Sequence, residues 1–343
     1  MPIHDQGANS AAKASLIAAL RERRLIGMTG AGLSKSAGYP LWNEALLHLA
    51  ARVGEVTGDT QQADDLLIQN ANDPLYCAQR LGALIGDAEF TNFIAREFGP
   101  NGRTPPNVLL YFALLPLRHV LTLNFDLSCE GAHTAANVAF RSLSSSSNEE
   151  LAGFFREMNS DGCVKTIFHL HGRFNDPLLN IALTEVGYQR LYGMDTLFHH
   201  HFKDLVISKS VMFAGFGFTD SDIEHMFYDT ARVVKKQLDN RAIHYHFAII
   251  GVGTNGDDRS VRQRLSDRYL TDAVFYNVHD DDNPHAEFPE LMRELAEACN
   301  QTIPAVLGPV EPLADVVAIE DIQRMEDMSD GFLRRIEENH END

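Results

Sequence analysis

At 343 residues, 44% of them hydrophobic, the chain can build one large core or a core with an inserted module, and it is too apolar to be disordered. A formal net charge of −19, from 48 acidic against 29 basic side chains, excludes a direct nucleic-acid-binding module, which needs clustered Lys and Arg. No apolar run approaches the ~20 residues of a membrane span and the N-terminus lacks the order of a signal peptide, so a cytoplasmic protein without a membrane partner is expected.

Ser10 is the expected cap of a first helix reaching about Arg23, with Leu16, Ile17 and Leu20 on one face. Leu25–Thr29 reads as a short buried strand that breaks into Gly30-Ala31-Gly32-Leu33-Ser34, with a helix soon after. Beyond Pro40, Trp42, Ala45, Leu46, Leu49 and Val53 recur at helical spacing. Residues 60–116 carry no strand pattern. Asp73-Pro74 opens one apolar helix, Asp87 to Phe98 makes another, and Pro105-Pro106 starts a third. Residues 119–123 resume the strands and end at Asn124-Phe125-Asp126, whereas the tract from Ser142 to Ser147 reads as a flexible loop. Residues 164–170 form a strand ending at His171-Gly172, and a helix follows near Thr184 to Tyr192. Ser210–Ala214 is a strand ending in Gly215-Phe216-Gly217-Phe218-Thr219-Asp220. Residues 244–250 are another, ending in Gly251-Val252-Gly253, and 273–278 the last.

Strands separated by helices predict an α/β fold, a Rossmann-like, mostly parallel sheet with helices on both faces. Residues 1–59 and 117–308 would make that domain, 60–116 an inserted helical module and 309–343 an acidic tail. Within the tail, residues 311–343 hold eleven Asp or Glu against three Arg.

Five strands end in glycine-rich or polar peptides, and ligands of open parallel sheets sit beyond the carboxyl ends of strands. Glycines after the first strand permit a tight turn and close approach of a pyrophosphate to backbone N–H groups, and Ser34 adds a hydroxyl. Lys35 occupies the last position of the full Gly-x-Gly-x-x-Gly pattern, so a plain strand–helix turn is the alternative. On an extended strand Asn124 and Asp126 share a face, and amide plus carboxylate suit a carboxamide and a ribose hydroxyl; the alternative is an Asx turn. His169 and His171 project together at period two, as a base or as structural histidines. His199-His200-His201 and the pair His244 and His246 do not make a metal site. Cys77, Cys129, Cys163 and Cys299 are dispersed, without any Cys-x-x-Cys, so reduced thiols and no metal are expected.

Taken in order, GAGLSKSAGYP, TLNFD, FHLHG and GFGFTDSD resemble the sirtuin pattern over about residues 25–280. The resemblance implies that Gly30, Ala31, Gly32 and Ser34 cradle the pyrophosphate of NAD. It implies further that Asn124 and Asp126 belong to the nicotinamide–ribose pocket, that His171 is the catalytic base with Asn124 positioning ribose or water, and that Gly215, Gly217 and Asp220 approach ribose and phosphate. Deacylating sirtuins carry P-D-F-R where this chain has Tyr39-Pro40-Leu41-Trp42, a Gln where it has Leu123, and a zinc ribbon that it lacks. Gly38 to Trp42, and Leu183-Thr184-Glu185 before Tyr188, resemble instead the sirtuin-like NADases of bacterial anti-phage defence. That group includes Thoeris effectors and the sirtuin-like partners of HerA-type ATPases and short Argonautes. The resemblance implies an NAD glycohydrolase, a homo-oligomer and a defence partner such as a HerA-type ATPase. The alternatives are an NAD-dependent protein deacylase and a non-catalytic NAD or ADP-ribose sensor.

Overall fold

The computed structural model describes residues 3–145, 148–158, 164–193, 196–218, 221–237, 246–253, 256–279 and 284–301. The expected acidic tail at 309–343, and Asp220, Cys163, His244, Ser146 and Ser147, lie outside them.

The chain begins with α1 (Gln6–Arg21), β1 (Leu25–Thr29) and the short α2 (Ala31–Lys35). Four helices follow before the next strand: α3 (Trp42–Thr57), α4 (Thr60–Gln69), α5 (Pro74–Phe98) and α6 (Asn107–Leu114). Then come β2 (His119–Thr122), α7 (Ser128–Ala135), β3 (Phe140–Ser144), α8 (Asn148–Glu157) and β4 (Lys165–His169). A 3-10 turn at Leu178–Asn180 leads to α9 (Glu185–Tyr192), α10 (Leu197–Ser208) and β5 (Ser210–Ala214). The order closes with α11 (Ser221–Gln237), β6 (His246–Val252), α12 (Asp258–Tyr269), β7 (Thr271–Asn277) and α13 (Glu287–Ala298).

The seven strands described form one parallel sheet, ordered β3-β4-β2-β1-β5-β6-β7. All five residues of β1 are buried, as a central strand covered on both faces requires. One face packs on α1, α6, α7 and α13 through Leu16, Leu20, Phe112 and Leu295. The other packs on α8 to α12 through Phe154, Phe202, Phe227 and Leu265. A third core joins α3, α4 and α5 through Leu49, Val53, Leu67, Leu81 and Phe93, and it reaches the sheet domain at Phe125, Ile181 and Leu183. α6 belongs to the large core, not to this third one.

The chain runs from β1 to β2 on one side and returns to β5 on the other. β1 is therefore where the strand order reverses, the position at which open parallel sheets open a crevice. The carboxyl ends of β4, β2, β1 and β5 stand side by side there.

Several local expectations are corrected by tertiary contacts. α1 starts at Gln6 because Asp5, not Ser10, accepts the orphan N–H of Ala8 at 2.8 Å. The two helices expected over 74–98 meet without a loop at Gly86, whose φ of +78° breaks the helical path. The serine-rich tract does not begin as a loop: residues 140–144 are the edge strand β3. Its serines serve partners distant in sequence, Ser142 Oγ donating to Glu130 and Ser144 Oγ to Asp176. β6 continues to Val252, so Gly251 lies inside the strand opposite Tyr276.

Candidate active site

The peptide after β1 is itself helical. Gly30 caps α2 in extended conformation, and Ala31 to Lys35 make the turn. Its glycines are demanded by backbone packing. A Cβ on Gly30 would lie 2.6 Å from the Gly215 carbonyl oxygen and one on Gly32 3.0 Å from the same atom. Gly215, at φ +59°, would meet the Leu33 nitrogen at 2.6 Å. The Gly32 N–H donates to the Gly215 oxygen at 3.1 Å, and Gly32 does not reach the cavity described below. Lys35 forms an ion pair with Glu44, tying α2 to α3.

Asn124 and Asp126 lie beyond the end of β2, in a turn and not on an extended strand, so period-two alternation does not bring them together. The Ser34 hydroxyl lies near both. Asn124 Nδ2 donates to the Gly30 oxygen at 3.0 Å and to Ser34 Oγ at 2.9 Å, and Ser34 also favours the ionised form of Asp126. Asp126 also accepts from the Ser128 N–H at 2.8 Å, so it makes the Asx turn as well as facing the site. Burial pushes its pKa up, while the Ser128 and Ser34 hydrogen bonds pull against that shift.

His169 and His171 do not share a face. Strand pairing ends at His169, and Gly172, at φ +83°, turns the chain. A side chain at 172 would strike the Asn180 oxygen at 2.5 Å. The turn sends His171 to the cavity wall, among the rings of Phe125, Tyr188 and Tyr192 at 6.1, 5.9 and 5.5 Å. His169 is wholly buried and bonded to the Asn124 oxygen and to Glu130.

One cavity of about 780 Å³ unites these elements, within the range of small-molecule sites. Gly30, Ala31, Ser34, Asn124, Asp126, His171, Gly215 and Gly217 all line it. Tyr39, Pro40, Leu41 and Trp42 line it too, as does Leu123. Trp42, Leu46, Leu67 and Leu75 give it an apolar wall from α3, α4 and α5. Beyond β5 the wall is aromatic and charged: Phe218 stacks on Tyr269 at 5.4 Å, and Glu224 accepts from Tyr269 and pairs with Arg268.

The aromatic box, Glu130 and the Glu224–Tyr269–Arg268 cluster escaped the sequence reading. Only Glu130 left a trace, as a carboxylate among the small and apolar residues of α7.

Of the other candidates only Cys77 lines the cavity. His201 stacks on Phe155 at 4.9 Å, and His246, buried in β6, accepts from the Val211 N–H at 3.1 Å. Cys77, Cys129 and Cys299 are buried free thiols, and burial raises the Cys77 pKa to about 11. Among the described residues no His, Cys, Asp and Glu side chains cluster to hold a metal, and no helix is long and apolar enough to cross a membrane.

No curated protein sequence matches the chain. Residues 118–273 match the model of the SIR2-like domain, a family of NAD-using enzymes; this stretch includes Asn124, Asp126, His171, Gly215 and Gly217 but not the Gly30 turn. The matched stretch is thus similar to a SIR2-like domain, and the parallel sheet brings the Gly30 turn beside its strand ends.

Proposed function

We propose that the protein hydrolyses NAD to nicotinamide and ADP-ribose. The observation that carries this reading is the convergence of Asn124 and His171, from the neighbouring ends of β2 and β4, on one cavity with the Gly30 turn and the Gly215 loop. The cavity walls fit a dinucleotide. Backbone approaches closely at Gly30 and Gly215, Phe218 and Tyr269 offer ring faces, and Ser34 and Asn124 offer polar groups.

NAD supplies a leaving group that is already cationic, so no general acid is required. The protein's task is to orient the ribose, stabilise positive charge developing on it and activate water. Both Nδ2 bonds of Asn124 run to protein acceptors, so its amide offers Oδ1, an acceptor for a ribose hydroxyl or for water. His171 takes the proton released, directly or through a ribose hydroxyl. The rings around it keep bulk water away and strengthen local electrostatics. Asp126 places a carboxylate on the same wall, where ionisation favours a cationic sugar.

A defence role, with self-assembly or a HerA-type partner restraining or releasing the activity, extends this proposal and rests on the sequence resemblance. Purified full-length protein incubated with NAD over a range of protein concentrations tests the reaction. Equimolar nicotinamide and ADP-ribose are expected. NAD left intact at every concentration overturns the hydrolase, and nicotinamide release only with an acyl-lysine peptide establishes a deacylase instead.

A further inference from the structure

His169 closes β4, flanked in register by Thr122 of β2 and Ser144 of β3, with its side chain fully buried. Its ring stands between a carbonyl oxygen, which cannot donate, and a carboxyl oxygen that also faces the Ser142 hydroxyl. Nδ1 lies 2.8 Å from the Asn124 carbonyl oxygen and Nε2 2.7 Å from Glu130 Oε1. A neutral imidazole carries one N–H and would set a lone pair against one of these oxygens. With both nitrogens protonated, both acceptors are served and the Glu130 carboxylate neutralises the charge. Ser142 Oγ donates to the same Glu130 oxygen at 2.7 Å, which favours the ionised carboxylate. The other charge facing the ring is Asp126, in the turn after β2, and it too favours the imidazolium. Burial alone would lower the pKa of His169, but the charge and hydrogen bond of Glu130 outweigh it and raise the value. The His169 charge correspondingly lowers Glu130 against its own burial.

The remaining groups of Asn124 are held as tightly. Its N–H donates to Thr122 Oγ1 at 3.1 Å, its carbonyl accepts from His169, and its Nδ2 is committed to Gly30 and Ser34. These bonds hold Asn124 on β2, β4 and α2 at once, and among the described residues Oδ1 takes no hydrogen bond from protein.

We propose that His169 and Glu130 form a buried imidazolium–carboxylate pair that positions Asn124, fixing its carbonyl from behind so that the side chain keeps Oδ1 for the bound ribose or water. The catalytic part of this inference rests on the NAD-cleaving reading of the site; the charge state of the pair does not.

Two measurements test it. Nitrogen-15 imidazole spectra of the full chain, with the His169 signals assigned by their loss in His169→Gln, should show both ring nitrogens protonated at pH 7. In Glu130→Gln the neutral partner can donate to Nε2, so His169 should become singly protonated at Nδ1 and keep its bond to Asn124. A singly protonated wild-type His169 refutes the pair whatever the activity. In steady-state assays His169→Gln should lower kcat roughly 10–100-fold, the usual scale for loss of a supporting hydrogen bond, with KM within about twofold. Glu130→Gln should lose much less kcat than His169→Gln, because the hydrogen-bond chain persists. A folded His169→Gln protein with wild-type kcat, or a Glu130→Gln protein as impaired as His169→Gln, overturns the positioning role. Wild-type protein that leaves NAD intact refutes the reaction separately, while the spectra still decide the pair.

Discussion

The two walls of the cavity are built on different principles. The sheet wall consists of backbone and short polar side chains, with Gly30 and Gly215 in backbone contact and Asn124 held by bonds to three elements. The helical wall consists of apolar side chains, Trp42, Leu46, Leu67 and Leu75 among them, from helices with their own core. Atoms that must meet a reacting bond within tenths of an ångström belong on the first kind of wall, and atoms that set the size and dryness of the chamber belong on the second. Substitutions on the sheet wall should therefore strike turnover, and those on the helical wall should strike affinity.

The largest effect is expected at His171. His171→Ala should reduce NAD turnover by roughly 10²–10⁴-fold, the usual worth of a general base, with the thermal transition preserved. Asn124→Ala should fall in the same range. Wild-type turnover in both variants would remove the chemistry from the sheet wall.

Gly215→Ala comes next. A Cβ there combines a φ of +59° with a 2.6 Å approach to the Leu33 nitrogen, so a loss of about 1–3 kcal/mol in denaturant unfolding and a clear fall in turnover are expected. Gly58→Ala is the control. Its φ of +74° is similarly strained but no atom lies within 4 Å, so it should cost about 1 kcal/mol and leave turnover unchanged.

The pH dependence of stability separates two kinds of buried histidine. Burial pushes His119 and His133 down to about 4 and His246 to about 3, from an ordinary 6.5. The unfolded chain therefore binds protons that the fold refuses. Their contribution is complete above about pH 6.5 and is lost as pH falls through the depressed values. His169 has the opposite sign: its raised pKa gives a contribution complete below about pH 6.5 and lost as pH rises through the raised value. Melting curves from pH 4 to 9 should fall steeply on the acid side, and Glu130→Gln should flatten the alkaline side while His169, now a buried neutral ring, adds to the acid-side fall. An alkaline slope unchanged in Glu130→Gln would place its origin elsewhere.

The smallest effect is expected on the helical wall. Trp42→Phe should raise KM for NAD by about 3–10-fold at unchanged kcat, the scale of a modest loss of apolar contact. A fall in kcat at constant KM would erase the distinction between the walls.

The sequence by itself determined which peptides end the strands and which carry unusual chemistry. Continuous apolar runs such as Leu25–Thr29 and Ser210–Ala214 need only their own composition to mark buried parallel strands, and Gly30, Asn124, His171 and Gly215 each follow such a run. Local pattern did not reach the contacts that give those residues their roles. Asn124 meets Ser34 across 90 residues, and His169 meets Glu130 across 39 and the Asn124 carbonyl across 45. Whether residues 140–144 become a strand depended on β4 being there to pair with them. Alternation assigned His169 and His171 to one face because it assumes that the strand continues, and strand pairing between chain-distant segments ended it one residue too soon. Periodicity records how a residue stands relative to its own neighbours in sequence. Which oxygen stands opposite a ring nitrogen is decided by the packing of separate elements, and only the tertiary structure holds that information.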